Sequence, residues 1–224
     1  MDRSEGIARE AGVLLRRARG WRWLGLVVVF LRILLGFAFV PAGLKKLLGQ
    51  PFTDPSHHGP FHDFLHAFHA TGAFYRFVGA VQLGVAVLLL GQQFAGAVLM
   101  LPVLTVIVVF CWSTAAVPTA VVVSTMWLGA LGLCVWDLDR CSGLWRSPPL
   151  APLPPSVVRL GAWRLCGAAM LLAYLLACAI DGGVYRPRGA ELGDPRFYVF
   201  PAIMLLPVLT LLVQVRPTRR GRGR

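Results

Sequence analysis

Charged residues are scarce in this chain. Only 14% of its 224 residues are charged and 57% are apolar, whereas a soluble globular domain has roughly 25% charged and 45–50% apolar residues. This composition excludes an ordinary soluble protein. A chain of this length has room for about six membrane spans of ~20 residues with short connections, and a large soluble catalytic domain does not fit beside them.

Acidic residues are the scarcest charged type. Ten Asp and Glu residues stand against 22 Lys and Arg residues, which gives a formal net charge of +12. A basic stripe on a soluble fold would indicate nucleic acid, but these basic residues collect at the chain ends and in short segments between apolar runs. The distribution argues for no nucleic-acid partner and for a lipid bilayer. We therefore expect a multi-pass protein of a bacterial inner membrane.

Common catalytic motifs are also missing. No two cysteines form a C-x-x-C pair, which argues against a thioredoxin-like or quinone-linked dithiol enzyme. No G-x-x-x-x-G-K-[ST], G-x-S-x-G or G-x-G-x-x-G segment occurs, so nucleotide binding and serine hydrolysis have no support. We expect the cysteines to be small buried side chains. They are Cys111, Cys134, Cys141, Cys166 and Cys178.

Six long runs are apolar on every face. Strands of a membrane barrel alternate apolar and polar residues, so these runs predict transmembrane helices, which satisfy their own backbone in lipid. The long charged leader, with no cleavage site after the first run, favours an uncleaved span over a signal peptide. The predicted spans are Leu24–Val40, Phe74–Leu90, Phe94–Trp112, Pro118–Trp136, Ala162–Ile180 and Phe197–Val215.

The connections between the spans predict how the chain is organised. Most of the 22 basic residues fall in the leader, the fourth connection and the tail, which predicts that both termini are cytoplasmic. The predicted units are a basic cytoplasmic segment (1–23), a four-helix membrane unit (24–136) with an outer loop (49–73), a proline-rich cytoplasmic link (137–161), two further transmembrane helices (162–215) and a basic cytoplasmic tail (216–224).

The first span carries basic residues near both ends. Arg32 lies about eight residues past the apolar start, where an arginine costs on the order of 2.5–3.5 kcal/mol on insertion scales. It is expected to face the bundle or to snorkel to the inner surface. Lys45 and Lys46 mark the outer boundary or hold an anionic head group. Gly36 and Gly43 share one face, where small residues allow close helix packing.

Three short segments of the first two spans carry a family resemblance. They read RILLG at Arg32–Gly36, AGLKKL at Ala42–Leu47 and VGAVQLGVAVLLLG at Val78–Gly91. Over about residues 30–136 the chain thereby resembles the DoxX-like integral membrane proteins, although Gln82 stands where family members often carry a glutamate. The resemblance implies a four-helix bundle, here with two additional helices, and an association with redox chemistry. Some relatives are the membrane subunit of a thiosulfate:quinone oxidoreductase.

All five histidines fall in the outer loop. The segment PFHDFLHAFH begins with a proline suited to a first helical position, and its apolar spacing predicts a short interfacial amphipathic helix. Two histidines at i, i+4 could chelate a metal ion with His58 or Asp63 as third ligand, but no second cluster exists to complete such a site. The favoured interpretation is therefore a titratable polar face that relays a proton at the lipid boundary. The apolar face is Phe61, Phe64, Leu65 and Phe68, and the histidine stripe is His62, His66 and His69.

Asp137 and Asp139 follow the fourth span and are expected to lie in water as boundary residues. The leading functional hypothesis is a membrane component of a redox system. It would handle quinone or anchor a soluble or membrane-bound redox enzyme, and it would have no cofactor of its own. The first alternative is a transporter or channel for an anion or another small solute, with Arg32, Lys45 and Gln82 along the pathway. The second is a non-catalytic membrane scaffold.

Overall fold

The computed structural model describes residues 3–144, 152–155, 157–185 and 195–215. These residues form helices joined by turns and loops, and no strand occurs among them. The all-α class predicted from the apolar runs is confirmed. The basic tail and residues 145–151 and 156 of the proline-rich link lie outside the described residues.

Five helices in the described part of the chain are long and apolar enough to cross a membrane. They coincide with five of the six predicted spans, so a polytopic membrane protein is confirmed. The sixth run folds as a 3-10 turn and a helix of 17 residues, which is about 26 Å long against roughly 30 Å of bilayer hydrocarbon. The helices are α1 (Arg3–Gly20), α2 (Arg22–Leu47), α3 (Pro60–Ala70), α4 (Ala73–Leu90), α5 (Phe94–Ser113), α6 (Val117–Trp136), α7 (Leu138–Cys141), α8 (Leu160–Asp181) and α9 (Val199–Val215).

The N-terminal segment, predicted only as a basic leader, is itself helical. The extended backbone of Trp21 separates α1 from α2. α2 is longer than the predicted first span because the helix continues through Pro41 to Leu47. Proline is tolerated inside a membrane helix when neighbouring helices support the kinked segment, and residues on both sides of Pro41 are buried.

α2 and α4 pack closely through glycines. A Cβ atom at Gly79 would lie 2.5 Å from the backbone nitrogen of Leu47, so only glycine fits there. An added Cβ at Gly36 or Gly43 would lie 3.1 Å from a carbonyl oxygen of α4. The predicted role of Gly36 and Gly43 in close helix packing is therefore confirmed. The two helices run antiparallel, since Gly36 lies beside the end of α4 and Gly43 beside Gly79.

The two C-terminal helices pack into the same hydrophobic core as the first four spans. Gly167 of α8 lies directly against the backbone of Leu90 at the end of α4. Phe37 of α2 contacts Tyr174 of α8 and Phe200 of α9, with ring centroids 5.7 and 5.6 Å apart. One core therefore extends from α2 to α9.

Candidate functional site

Arg32 is buried at the level of two helix ends. Its Nη2 donates a hydrogen bond to the Asp137 carboxylate, and its Nη1 lies 3.4 Å from the carbonyl oxygen of Gln92. Gln92 follows α4 and Asp137 follows α6. The Arg32 and Asp137 side chains are 3% and 4% exposed. Arg32 therefore faces the bundle and does not snorkel to the surface, and it forms an ion pair with Asp137.

A second ion pair lies next to the first. Arg19 Nη2 and Nη1 lie 2.5 and 3.3 Å from the two carboxylate oxygens of Asp139. Arg19 also donates to the carbonyl oxygens of Trp136 and Pro154, and the Leu153 N–H donates to Asp139. Burial raises the pKa of Asp139, but hydrogen bonds from Arg19 and the backbone outweigh it and hold this pKa below its ordinary value.

The expectation that Asp137 and Asp139 lie in water is wrong. Both are buried, because each meets an arginine from a helix far away in sequence. We call Arg19, Arg32, Asp137 and Asp139 the arginine–aspartate cluster; it joins α1 and α2 to the segment after α6. The sequence did contain one signal for it. An arginine within an apolar span needs a partner, and two carboxylates stand directly after the fourth span.

The opposite end of α2 carries another buried cation. Lys46 is 7% exposed, and its Nζ lies 4.3 Å from the Phe52 ring centroid and 3.4 Å from the Ala42 carbonyl oxygen. Lys45 Nζ lies 6.0 Å from the same ring. Among the described residues, no acidic side chain comes within 4.0 Å of Lys46. Both lysines lie in the last turn of α2, where the helix dipole favours positive charge.

The loop after α2 is tied to this lysine end by polar contacts. The Gly49 and Gln50 N–H groups donate to the carbonyl oxygens of Lys46 and Lys45 at 2.9 and 3.0 Å. Tyr75 O–H donates to the Gln50 carbonyl at 2.8 Å, and His69 Nε2 donates to the Gly49 carbonyl at 2.9 Å. The loop is therefore closed against the end of α2. We call Lys46, Phe52, His69 and Tyr75 the Lys46 site. Phe52 and Tyr75 were not predicted as site residues, since single aromatics in an apolar sequence carry no functional signal.

Residues Pro60–Ala70 form the helix predicted for the histidine segment. Its apolar face packs on the bundle: Phe64 lies 4.4 Å from Phe110 of α5 and Phe68 lies 5.0 Å from Tyr75 of α4, between ring centroids. Phe64 nevertheless stays 51% exposed. The face predicted to lie on the membrane is thus partly used against α4 and α5.

The histidine stripe of α3 faces the preceding loop. His62 Nδ1 lies 2.6 Å from Thr53 Oγ1, and His66 Nε2 donates to the His57 carbonyl at 3.1 Å. With His69, each member of the predicted stripe binds the loop through one ring nitrogen. These contacts give the histidines a structural role in holding the loop.

The residues proposed for a metal ion do not converge. His58 Nδ1 and Asp63 Oδ1 are 4.0 Å apart, and both side chains are exposed. Within the described residues, no three His, Cys, Asp or Glu side chains are grouped to hold a metal ion. The metal alternative for His62 and His66 therefore has no third ligand in this arrangement.

The residues expected along a transport pathway are also far apart. Arg32 and Lys45 are separated by about 20 Å along α2, at 1.5 Å per residue. Gln82 is buried on α4, one turn from Gly79 and therefore nearer to Lys46 than to Arg32. Its Oε1 has no hydrogen-bond partner among the described residues. The charge of Arg32 is matched by Asp137.

No family model, curated protein or solved structure matches this chain. The DoxX-like resemblance therefore rests on the short segments of α2 and α4. A fold alone is a weak guide to function, so function has to be argued from the arginine–aspartate cluster and the Lys46 site.

Proposed function

We propose that this protein is the membrane component of a redox system and that it binds a quinone head group at the Lys46 site. The observation that carries the proposal is the buried ammonium group of Lys46. Among the described residues, it contacts one carbonyl oxygen of its own helix and one aromatic ring. Burying a positive charge costs free energy unless the charge is paired and hydrogen-bonded. A ligand that accepts hydrogen bonds from Lys46 would offset that cost.

The chemistry of a quinone fits this position. An ammonium group has three N–H donors, and one of those on Lys46 is directed at the Ala42 carbonyl at 3.4 Å. The others can donate to a quinone carbonyl oxygen, whose partial negative charge grows on reduction. The Phe52 ring supplies an apolar surface beside the same group. A quinone would reach such a site from the lipid that surrounds the helices.

Protons for quinone reduction would be exchanged by the histidines beside the site. His69 uses Nε2 on the Gly49 carbonyl, which leaves Nδ1 to accept or release a proton. A ring nitrogen in this position can act as a general acid or base toward a bound quinone oxygen. The electrons would come from a partner redox enzyme, since this chain is not expected to have a cofactor of its own.

The two alternatives have less support. An anion pathway along α2 would use the positive charges of Arg32 and Lys45, but Arg32 is paired with Asp137 and lies about 20 Å from Lys45 along the helix. A non-catalytic scaffold gives no reason for a buried lysine that has no carboxylate within 4.0 Å among the described residues. A scaffold and a quinone-binding protein differ in one measurable property, because a scaffold would not bind quinone.

The decisive experiment measures binding of a decyl-substituted benzoquinone to the purified protein by equilibrium dialysis in detergent. We expect saturable binding at one site. The Lys46→Met variant should bind at least about 10-fold more weakly, because a hydrogen bond from a charged donor contributes about 1.5–3 kcal/mol. Lys45→Met is the matched control, since it removes an adjacent lysine of the same turn, and it should bind like the parent.

Two results would contradict the proposal: quinone uptake no greater than that of empty micelles, or equal binding by the parent and Lys46→Met. A second variant tests the proton role. Changing His62, His66 and His69 together to Gln keeps polarity but removes the ring nitrogens that could exchange protons. Quinone-dependent activity of the membranes should then lose its pH dependence between about 5 and 8, and an unchanged pH profile would leave the histidines with a structural role alone.

A further inference from the structure

The helix α1 leaves apolar and basic side chains uncovered together. Leu14 is 68% exposed and Val13 is 58% exposed, and the neighbouring Arg16 and Arg17 are also exposed. We call these four residues the α1 surface. These exposed fractions are those of the whole folded chain. No described part of the chain therefore covers the α1 surface.

α1 is held in a defined place although its outer surface is free. Arg19, one turn beyond the α1 surface, is buried and bonded to Asp139 and to the Trp136 carbonyl at the end of α6. An ion pair with two carboxylate contacts restricts the direction in which a helix leaves the bundle. The arginine–aspartate cluster therefore keeps α1 beside the end of α6.

The level of α1 coincides with a membrane boundary. Trp21 and Trp23, which follow α1 directly, are 59% and 70% exposed, and tryptophans concentrate at the head-group level of a bilayer. Other helices end at the same level: Arg22 Nη2 donates to the Gln214 carbonyl near the end of α9, and Gln214 Nε2 donates to the Arg159 carbonyl before α8.

We infer that the α1 surface binds the bilayer leaflet on this side and that it recognises anionic lipid head groups. Exposed leucine and valine favour the acyl boundary, while Arg16 and Arg17 match phosphate groups. Residues 12–18 contain two arginines, Arg16 and Arg17, and no acidic residue, so the charge of the α1 surface is complementary to an anionic leaflet. A nucleic acid would use the arginines but would leave Leu14 and the tryptophans in water, which makes lipid the better match.

The test is hydrogen–deuterium exchange at residues 12–19 of the full-length protein, reconstituted in vesicles. Vesicles of phosphatidylcholine alone are compared with vesicles of phosphatidylcholine and phosphatidylglycerol in equal parts. We expect exchange about 30-fold slower with the anionic lipid, as the combined effect of two arginines at an anionic surface. Equal exchange in the two kinds of vesicle would overturn the inference.

Three variants make the result specific. The double change of Arg16 and Arg17 to Gln should abolish the dependence on phosphatidylglycerol, while the matched control, Arg159 and Arg164 to Gln, should keep it. Arg159 and Arg164 are exposed at the same end of the bundle but lie outside α1. Leu14→Gln keeps every charge and should still exchange faster in anionic vesicles than the parent. A Leu14→Gln variant that exchanges like the parent would refute the apolar contact, and equal protection by added single-stranded RNA in neutral vesicles would refute lipid recognition.

Discussion

Replacing Arg32 by leucine should destabilise the protein, although the change removes a charge from a membrane protein. The reason is Asp137, which the change would leave as a buried carboxylate. Breaking a buried ion pair by removing one partner costs about 3–5 kcal/mol. Arg140 Nη1 lies 3.5 Å from the other oxygen of Asp137 but is 48% exposed, and an exposed pair contributes only about 0–1 kcal/mol. We therefore expect a loss of about 3 kcal/mol.

The assay is a double-mutant cycle on unfolding in mixed micelles, with SDS as denaturant and circular dichroism as readout. Asp137→Leu alone should cost a similar amount, since among the described residues Arg32 then keeps the Gln92 carbonyl as its one hydrogen-bond partner. The double variant should lie near the parent in stability, because replacing both partners of a buried pair by apolar residues is often neutral or stabilising. The cycle should thus give a coupling energy of about 3 kcal/mol or more.

The matched control is Arg140→Leu, which removes an exposed arginine from the same aspartate and should change the stability by less than about 1 kcal/mol. Additive effects of the two single variants would refute the reasoning. So would an Arg32→Leu variant as stable as the parent, because Arg32 would then extend to the surface and not to Asp137.

Three further predictions concern the same end of the bundle and its orientation. Arg19 holds the pKa of Asp139 below its ordinary value. The pair therefore contributes its full stabilisation above the ordinary aspartate pKa of about 3.9, and this stabilisation is lost as the pH falls through the lower pKa of the folded state. Proteolysis of α1 should rise at acid pH in the parent and already at neutral pH in Asp139→Asn. Burial first, then neighbouring Cys134, raises the pKa of Cys141 to about 11, so iodoacetamide at neutral pH should modify it, by mass spectrometry, only after unfolding. In a cysteine-free background, a cysteine at Gly143 should react with an impermeant maleimide only in opened cells, and one at Asp54 in intact cells; the reverse pattern would contradict the predicted orientation.

The parts of the fold that the sequence predicts are those that depend on local patterns. Uninterrupted apolar runs specify spans, and Pro60 with an i, i+3, i+4 aromatic pattern specifies α3. The true ends of α2 were not predictable from hydropathy, since Arg22, Lys45 and Lys46 look like flanking charges. Lys45 and Lys46 are helical because α4 packs on this end of α2 through Gly79, where no residue other than glycine fits.

The candidate site was predicted less completely than the fold. Arg32 and Lys46 were recognisable as unusual, because charge near an apolar run has a cost that needs an explanation. Their neighbours were not recognisable. Asp137 had to be placed beside α2 by the packing of α6, and Phe52 by the loop that folds back over the end of α2. The histidines were read as a surface stripe, but they bind the loop because His69 and Tyr75 close it against α2.

The amino-acid sequence by itself determined that this chain is a helical membrane protein, because composition and periodicity act residue by residue and need no knowledge of distant contacts. Only the tertiary structure decided how the charges are used. Asp137 is a solvated boundary residue in the sequence and a buried partner of Arg32 in the fold. The physical reason is that an ion pair depends on which helix ends meet at the same depth, and neither hydropathy nor spacing along one helix carries that information.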